Sequence, residues 1–349
     1  MDCALAGFVF DLRSAQTYSL PLNMPLDSYH RDIDYLRISL TDACNLRCVY
    51  CMPENMTFRP RDELLSDAEL RRLITLFGTL GFRKIRFTGG EPTLRPGLVE
   101  LVRHAVNTPG ITTVGLTTNG VLLDQLAQPL ADAGLQTANV SIDSLDEEKF
   151  RQLTRWGNLR DVHAGLAAAA RAGLRIKLNA VVCRGVNDGE DVVALARLTL
   201  NNPWQVRFIE QMPFGNNSDF QKRGMVSEAE LLTVLTTAFG PLELVNGGQL
   251  DGEARLYRLP GGQGALGFIS PVSAPFCAGC NRMRLTADGV LRLCLLRDNE
   301  INLLHLLRGG ENDEAIATCI RQAVHEKPWG HGLAQHLIPS ARGMSEIGG

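Results

Sequence analysis

The chain has 349 residues, of which 45% are hydrophobic, and a formal net charge of −3. It is long enough to bury a sizeable core as one large domain or two, and its charge gives no whole-chain reason to expect nucleic-acid binding. No apolar run approaches the roughly 18 residues that a membrane helix needs, and the N-terminus lacks the pattern of a secretory signal. We therefore expect a soluble, cytoplasmic protein, in which nine cysteines indicate metal or redox use rather than disulfides.

Repeating strand and helix patterns fill the middle of the chain. Residues 1–26 show no clear period and are interpreted as an irregular N-terminal extension. After it, apolar strands are predicted at residues 36–40, 84–88, 113–118, 137–142, 175–182 and 205–209. A capping box, Ser66-Asp-Ala-Glu69, begins the helix that follows the first strand. The alternation predicts an α/β fold over residues 27–225, a partial (β/α)6 relative of the TIM barrel, with its active site at the carboxyl ends of the strands.

Three thiols follow the first predicted strand. Cys44, Cys48 and Cys51 are spaced C-x3-C-x2-C. Three thiolates ligate only three irons of a [4Fe–4S] cube, so the fourth iron stays open to a ligand. Zinc sites usually close with four ligands and paired C-x2-C motifs, and no second cysteine pair lies nearby in sequence. The spacing favours an iron–sulfur cluster, with zinc or buried thiols as the alternatives.

This stretch, with Tyr50 just before the last cysteine, resembles the radical S-adenosylmethionine (radical SAM) enzymes. In that family the open iron binds S-adenosylmethionine, and one electron from the cluster cleaves it to a 5′-deoxyadenosyl radical. Gly89-Gly-Glu-Pro92, by itself only a turn, resembles the family's GGEP motif, in which Gly90 and Glu91 would contact the cofactor's amino group. Further contacts to S-adenosylmethionine implied by the resemblance are those of Tyr50, Ser141 and Met212.

Basic residues occur on four of the six predicted strands, although strands buried on both faces should be runs of Val, Ile and Leu. Because side chains alternate, Lys84 and Arg86 share one face of their strand, and Lys177 and Asn179 share one face of theirs. If these faces point inward, the barrel holds a positive field that requires an anion such as a triphosphate, since unpaired buried charges are costly. The alternative is that the cations point outward and pair with helix carboxylates.

Beyond residue 225 the pattern changes to short, glycine-rich β segments, which predicts a C-terminal module, residues 226–349, laid across the barrel mouth. The module carries a second triad, Cys277, Cys280 and Cys294, spaced C-x2-C-x13-C. Alone, this triad suits zinc with a fourth ligand such as His305. Beside a radical SAM motif, a second [4Fe–4S] cluster is the better interpretation.

The segment after Cys280 brings two guanidiniums close to the second triad. If it is extended, Cys280, Arg282 and Arg284 lie on one face. Arginine suits bidentate contacts with phosphate or carbonyl oxygens. The segment therefore indicates substrate binding beside the second cluster.

The thiol triad, the sequence Cys280-Asn-Arg-Met-Arg284 and a terminal Gly348-Gly349 together resemble the GTP 3′,8-cyclase family of molybdenum cofactor biosynthesis, over residues 27–349. In that family the second cluster binds the guanine of GTP, basic barrel residues hold the triphosphate, and a radical at ribose C3′ attacks C8 to give 3′,8-cyclo-7,8-dihydro-GTP. The resemblance implies two [4Fe–4S] clusters and S-adenosylmethionine as cofactors, GTP as substrate, an external one-electron reductant and a tendency to form a homodimer; no nucleic acid or membrane is expected as a partner. It also implies that the di-glycine tail reaches toward the active site. The implied substrate contacts are Arg37, Arg86, Thr117, Lys177, Arg282, Met283 and Arg284, with Lys84 and Arg207 in the same field.

Two other functions remain open from the sequence. A radical SAM enzyme that modifies peptides would also carry auxiliary clusters, but such enzymes usually show more C-terminal cysteines. A zinc-stabilised binding module without enzymatic activity would contain zinc and no iron, whereas the favoured interpretation predicts about eight irons per chain in two cubes.

Overall fold

A computed structural model of the chain describes residues 2–5, 8–11, 25–214, 224–335, 339 and 342–348. The strands of this part of the chain are β1 (Asp2–Leu5), β2 (Phe8–Asp11), β3 (Tyr35–Ser39), β4 (Lys84–Thr88), β5 (Thr113–Thr118), β6 (Thr137–Ser141), β7 (Arg175–Val182), β8 (Gln205–Glu210), β9 (Glu243–Leu244), β10 (Arg255–Arg258), β11 (Ala265–Ile269), β12 (Arg282–Leu285), β13 (Val290–Arg292) and β14 (Glu300–Asn302). The α-helices are α1 (Asp67–Thr79), α2 (Leu98–Asn107), α3 (Leu123–Asp132), α4 (Glu147–Thr154), α5 (Leu159–Arg171), α6 (Glu190–Asn201), α7 (Glu228–Phe239), α8 (Leu303–Arg308) and α9 (Asp313–His325). Of these described helices, none is both long and apolar enough to cross a membrane.

Six parallel strands form the centre of the sheet. Strands β3 to β8 pair in chain order, each parallel to the next, and helices connect them. Their bounds agree with the predicted strands to within one residue at each end. The predicted partial (β/α)6 barrel of the radical SAM type is therefore confirmed.

The module predicted to lie across the barrel mouth also extends the barrel sheet at both edges. Strand β11 pairs in parallel with β8, and β12 pairs in parallel with β3, where Arg284 lies opposite Arg37. An open barrel exposes unpaired N–H and C=O groups at its two edge strands, and these added strands pair with them. The boundary after residue 225 stays a prediction.

The barrel strands separate an apolar outer face from a polar inner face. On β7, the side chains of Ile176, Leu178 and Ala180 are buried in the core against the helices, while Lys177 and Asn179 alternate with them on the other face. Side chains from β3 through β8, and from β11, β12 and β13, line one cavity. The inner face of the sheet therefore borders a cavity that is lined by both polar and apolar side chains.

Helix α1 begins at the predicted capping box. The Glu69 N–H donates to Ser66 Oγ at 3.2 Å, and the Ser66 N–H donates to Glu69 Oε2 at 2.7 Å. These bonds satisfy backbone groups that the first turn leaves unpaired. Leu73 and Phe77 of this helix are fully buried in the hydrophobic core.

The prediction that residues 1–26 are irregular is wrong where the structure describes them. Strands β1 and β2 pair antiparallel with each other, and β1 pairs with β14 through Leu5 and Ile301. Four-residue strands are too short to show a period in sequence, and pairing with a neighbouring strand decides their conformation. Residues 1, 6, 7 and 12–24 of this segment lie outside the described residues.

Candidate active site

The six cysteines of the two predicted triads line a single cavity at the carboxyl ends of the barrel strands. The first triad lies on the loop after β3, and the second follows β11 and β13. The cavity is also lined by side chains of β5 to β8. The chamber thus has the predicted position, and the two loops share it.

Backbone N–H groups make hydrogen bonds within the loop of the first triad. The Leu46 N–H donates to Cys44 Sγ at 3.3 Å, and the Cys51 N–H donates to the Cys48 carbonyl at 2.9 Å. Burial raises the pKa of Cys44 to about 11 and that of Cys51 to about 12. Thiols in such surroundings become thiolates only when a cation offsets the buried charge, which bound iron would do. The donor set therefore fits a cluster held by three thiolates.

The Gly89-Gly-Glu-Pro92 turn packs directly on the loop of the first triad. The Gly90 N–H donates to the Thr41 carbonyl at 2.6 Å, and the Glu91 N–H donates to the Ala43 carbonyl at 2.8 Å. A Cβ atom on Gly90 would lie 2.4 Å from the carbonyl oxygens of Asp42 and Ala43. Glycine is required here because two segments of backbone meet, and a contact between Gly90 and S-adenosylmethionine stays a prediction.

Glu91 joins two turns of the barrel rim. Its side chain, 1% exposed, accepts hydrogen bonds from the Thr93 N–H at 3.0 Å, the Thr93 hydroxyl at 2.6 Å, the Thr118 hydroxyl at 2.7 Å and the Asn119 N–H at 2.7 Å. Burial raises the pKa of Glu91, although these donors oppose the shift. Sequence reasoning implied a contact with the cofactor for Glu91, and the structure adds a structural role that it did not predict.

Tyr50, Ser141 and Met212 line the same cavity as the first triad. The Tyr50 hydroxyl donates to Asp143 Oδ2 at 2.6 Å, and the Val181 N–H donates to Asp143 Oδ1 at 2.8 Å. Burial raises the pKa of Asp143 to about 6, while these two donors oppose the shift. Asp143 therefore fixes the ring of Tyr50. Sequence reasoning missed it, although it lies two residues after Ser141 and so on the same side of the chain.

The basic side chains point into the barrel, which contradicts the alternative that they face outward. We call the following residues the cation patch: Arg37, Arg86, Lys177, Arg207, Arg282 and Arg284. Arg86 donates to the Tyr35 hydroxyl at 2.7 Å and to the Leu116 carbonyl at 2.9 Å, and Arg207 donates to Asn179 Oδ1 at 2.9 Å. Lys84 Nζ lies 4.4 Å from the centroid of the Tyr35 ring.

Two carboxylates of the C-terminal module face the cation patch. Glu253 lies 2.7 Å from Arg282 Nη1 and 3.6 Å from Arg207 Nη1, and Asp251 lies 3.1 Å from Lys177 Nζ. Burial alone would raise the pKa of Glu253, but the guanidiniums of Arg282 and Arg207 hold it well below its usual range. Burial also lowers the pKa of Arg207 to about 10. Sequence reasoning missed both carboxylates, because no motif marks them.

The residues implied to contact the substrate lie at different distances from the cavity wall. Arg37, Thr117, Arg282 and Arg284 line the cavity, and the buried Thr117 hydroxyl has no hydrogen-bond partner among the described residues. The described lining does not include Arg86 or Lys177, which lie behind it on the barrel strands. The Met283 side chain is 1% exposed within the hydrophobic core, on the opposite face of β12 from its arginine neighbours. A contact of Met283 with substrate would therefore use its main chain.

The C-terminal tail reaches the ends of β3 and β4. Arg284 Nη1 donates to the Gly348 carbonyl at 2.6 Å. A Cβ atom on Gly348 would lie 2.9 Å from Thr88 and 3.0 Å from Ser39, so glycine allows the tail to fit between these strands. The predicted approach of the tail to the active site is confirmed for Gly348, and Gly349 lies outside the described residues.

The second triad lies in cationic surroundings. Arg31 donates to the carbonyls of Cys277 at 2.8 Å, Trp329 at 2.7 Å and Pro328 at 2.8 Å, and so holds this loop in place. Burial would raise the pKa of Cys280, but Lys327 and Arg282 lower it to about 7. The pKa of Cys280 is thus lower than those of Cys44 and Cys51 in the first triad, which suits Cys280 as a metal ligand.

The geometry does not favour a single zinc ion. Within the residues described, no three Cys, His, Asp or Glu side chains converge closely enough to hold one metal ion. His305, the fourth ligand in the zinc interpretation, is exposed on α8 and does not line the cavity.

Comparison with known proteins first defines the class. Residues 38–199 match the sequence model of the Radical SAM superfamily, and residues 204–333 match that of Molybdenum Cofactor Synthesis C. The crystal structure of SuiB from Streptococcus suis superposes with a TM-score of 0.55 over 88% of this chain and 69% of that chain, at 14% identity, which supports the fold alone. The barrel with its three-thiol loop is that of a radical SAM protein.

Curated relatives then define the family. A GTP 3′,8-cyclase of Thermodesulfovibrio yellowstonii is 44% identical over 93% of this chain and 99% of its own length. Those of Pelotomaculum thermopropionicum and Pseudomonas putida are 45% and 46% identical, over 93% and 88% of this chain and 99% and 92% of their own lengths. The chain belongs to the GTP 3′,8-cyclase family. The interpretations as a zinc module or a peptide-modifying enzyme are thereby set aside.

Proposed function

We propose that this protein is a GTP 3′,8-cyclase, which converts GTP to (8S)-3′,8-cyclo-7,8-dihydro-GTP in the first step of molybdenum cofactor biosynthesis. One observation carries the proposal: the thiols of both triads line a single cavity that is also lined by basic side chains. Cys44, Cys48 and Cys51 would hold a [4Fe–4S] cluster, which together with S-adenosylmethionine would supply the radical chemistry that removes hydrogen from ribose C3′.

Four residues beside the first triad would hold S-adenosylmethionine: Tyr50, Gly90, Ser141 and Met212. Their common position on the cavity wall supports this assignment. Because Asp143 accepts the hydrogen bond of Tyr50, the ring has a fixed orientation against which a flat adenine can stack.

The substrate would bind across the cation patch and beside the second triad. Arg282 and Arg284 alternate on β12 and both reach the cavity. Guanidiniums bind phosphate oxygens through paired, charge-assisted hydrogen bonds, and these are strengthened where water is excluded. The Thr117 hydroxyl, which has no hydrogen-bond partner in the described part of the chain, can donate to a substrate oxygen. The proposed contacts are Arg37, Arg86, Thr117, Lys177, Arg282, Arg284 and the main chain of Met283.

Partners and location are inferred from this chemistry. We infer that an external one-electron reductant supplies the cluster, and that the enzyme forms a homodimer in the cytoplasm. A net charge of −3 supports neither nucleic acid nor an anionic membrane surface as a partner. A reducing compartment suits the thiols of both loops, which form no disulfides.

Anaerobic reconstitution tests the proposal. The reconstituted protein should hold about eight irons per chain and convert GTP to a product of the same mass with a different retention time. Cys48→Ala should abolish cleavage of S-adenosylmethionine, whereas Cys280→Ala should retain some uncoupled cleavage and lose the cyclised product. A fully loaded wild-type protein that cleaves the cofactor and leaves GTP unchanged would contradict the proposal. Full product formation by Cys280→Ala would contradict the assigned role of the second loop.

A further inference from the structure

A short surface turn carries two acidic residues into the cation patch. We call residues 249–254, between β9 and β10, the acidic turn. The Asp251 N–H donates to the Ala254 carbonyl at 2.9 Å, and the Ala254 N–H donates back to the Asp251 carbonyl at 3.2 Å. At its tip, Gly252 has a φ of 67°, and a Cβ atom there would meet only open space. The turn is therefore tight and exposed at its tip, while its carboxylates point toward the barrel.

These carboxylates pair with three members of the cation patch, across which the substrate is proposed to bind. Glu253 contacts Arg282 at 2.7 Å and Arg207 at 3.6 Å, and its side chain is 17% exposed. Asp251 contacts Lys177 at 3.1 Å and also accepts from Gln205 Nε2 at 3.2 Å. The basic side chains of the strands are thus already paired with carboxylates of the same chain.

The same cations are poorly suited to hold both anions at once. A triphosphate placed on Arg282, Arg207 and Lys177 would lie within a few ångströms of two carboxylates in a largely buried chamber. Like charges at such distances repel strongly when water is excluded. The carboxylates must therefore move away from these cations, or weaken the binding of phosphates by remaining.

We propose that the acidic turn is an internal counter-anion of the cation patch, which holds the cations in place in the nucleotide-free enzyme and which the triphosphate of the substrate displaces. Burial lowers the pKa of both Arg207 and Lys177, so a counter-anion also helps to keep them charged. This inference rests on the proposed function, because it takes the triphosphate as the ligand of these residues.

Removing a carboxylate should destabilise the free enzyme and stabilise its complex with GTP. In Glu253→Gln the free enzyme loses ion pairs with Arg282 and Arg207, whereas the GTP complex loses only a competing charge. The variant should bind GTP and inorganic tripolyphosphate about tenfold more tightly, since a ligand no longer has to displace the pair. Its melting temperature without ligand should fall, and the increase produced by saturating GTP should be larger than in the wild type.

The experiment compares anaerobically reconstituted wild type, Glu253→Gln, Asp251→Asn and a control, Glu243→Gln. Glu243 is exposed on β9, so its variant removes the same charge from the same module without touching the cation patch. Calorimetric titrations with GTP and with inorganic tripolyphosphate give the dissociation constants, and thermal melts with and without GTP give the stabilities. The control should match the wild type in both measurements.

The outcomes separate this inference from the proposed function. A wild-type protein that binds neither GTP nor tripolyphosphate would overturn both this inference and the proposed function. If the wild type binds and Glu253→Gln binds equally or more weakly, the carboxylate positions Arg282 for the substrate and the inference is wrong. If Glu253→Gln fails to fold, Asp251→Asn decides the question, because its side chain is 46% exposed and tolerates change; tighter binding supports the inference, and unchanged or weaker binding overturns it.

Discussion

Replacement of Glu91 by glutamine tests whether this carboxylate joins the rim of the barrel. Its two oxygens accept from Thr93, Thr118 and Asn119, and so connect the turn after β4 to the end of β5. Glutamine has nearly the same shape but presents an NH₂ group in place of one oxygen. The substitution therefore changes the hydrogen bonds and leaves the packing almost unaltered.

The magnitude follows from the donors around the side chain. In the wild type, the Asn119 N–H donates to Glu91 Oε2 at 2.7 Å. If the amide nitrogen of glutamine takes the place of Oε2, two hydrogen-bond donors face each other. Losing a hydrogen bond to a charged group costs about 1.5–3 kcal/mol, and the remaining bonds weaken because their acceptor becomes neutral. Burial of a neutral amide instead of a carboxylate offsets part of this loss. We expect Glu91→Gln to lower the free energy of unfolding by about 2–4 kcal/mol.

Anaerobic urea unfolding of the reconstituted protein, followed by circular dichroism, measures the change. Glu100→Gln is the matched control, because Glu100 is exposed on α2 and pairs only at the surface with Arg103, so its loss should cost about 0.5 kcal/mol or less. An unfolding midpoint of Glu91→Gln equal to that of the wild type would refute the structural role. Unchanged stability together with a weaker affinity for S-adenosylmethionine would instead show that Glu91 acts as a cofactor contact.

Three further substitutions probe the two loops and the substrate site. Gly90→Ala should force apart the turn and the first-triad loop, since its Cβ atom would lie 2.4 Å from two carbonyl oxygens, and bound iron should fall; Gly189→Ala, with open space around its Cβ atom, should retain full iron content. Arg31→Ala removes three carbonyl contacts around the second loop, so iron analysis should give about four irons per chain instead of about eight; an unchanged content would contradict that anchoring role. Arg284→Ala should weaken GTP binding by about 1.5–3 kcal/mol in a calorimetric titration. Arg160→Ala, an exposed control, should leave it unchanged, and an unchanged affinity in Arg284→Ala would remove that residue from the site.

Local patterns in the sequence were sufficient for the barrel and for the metal-binding loops. The six strand bounds agree to within one residue, and the capping box at Ser66 begins a helix as expected. Spacing singled out both thiol triads, and the resemblance to radical SAM enzymes favoured a cluster over zinc for the second. Strand alternation, helix capping and ligand spacing are properties of neighbouring residues, so the sequence encodes them directly.

The tertiary structure alone decided which groups these elements meet. The alternation of side chains along the strands predicted which residues share a face. Only the folded chain brings Glu253 to Arg282 and Asp251 to Lys177. It also shows that Gly90 fits against the backbone of another loop. The same holds for β11 and β12, which pair with β8 and β3, the two outer strands of the barrel. Burial and charge pairing depend on contacts between residues far apart in the chain, and a local pattern carries no record of the partner.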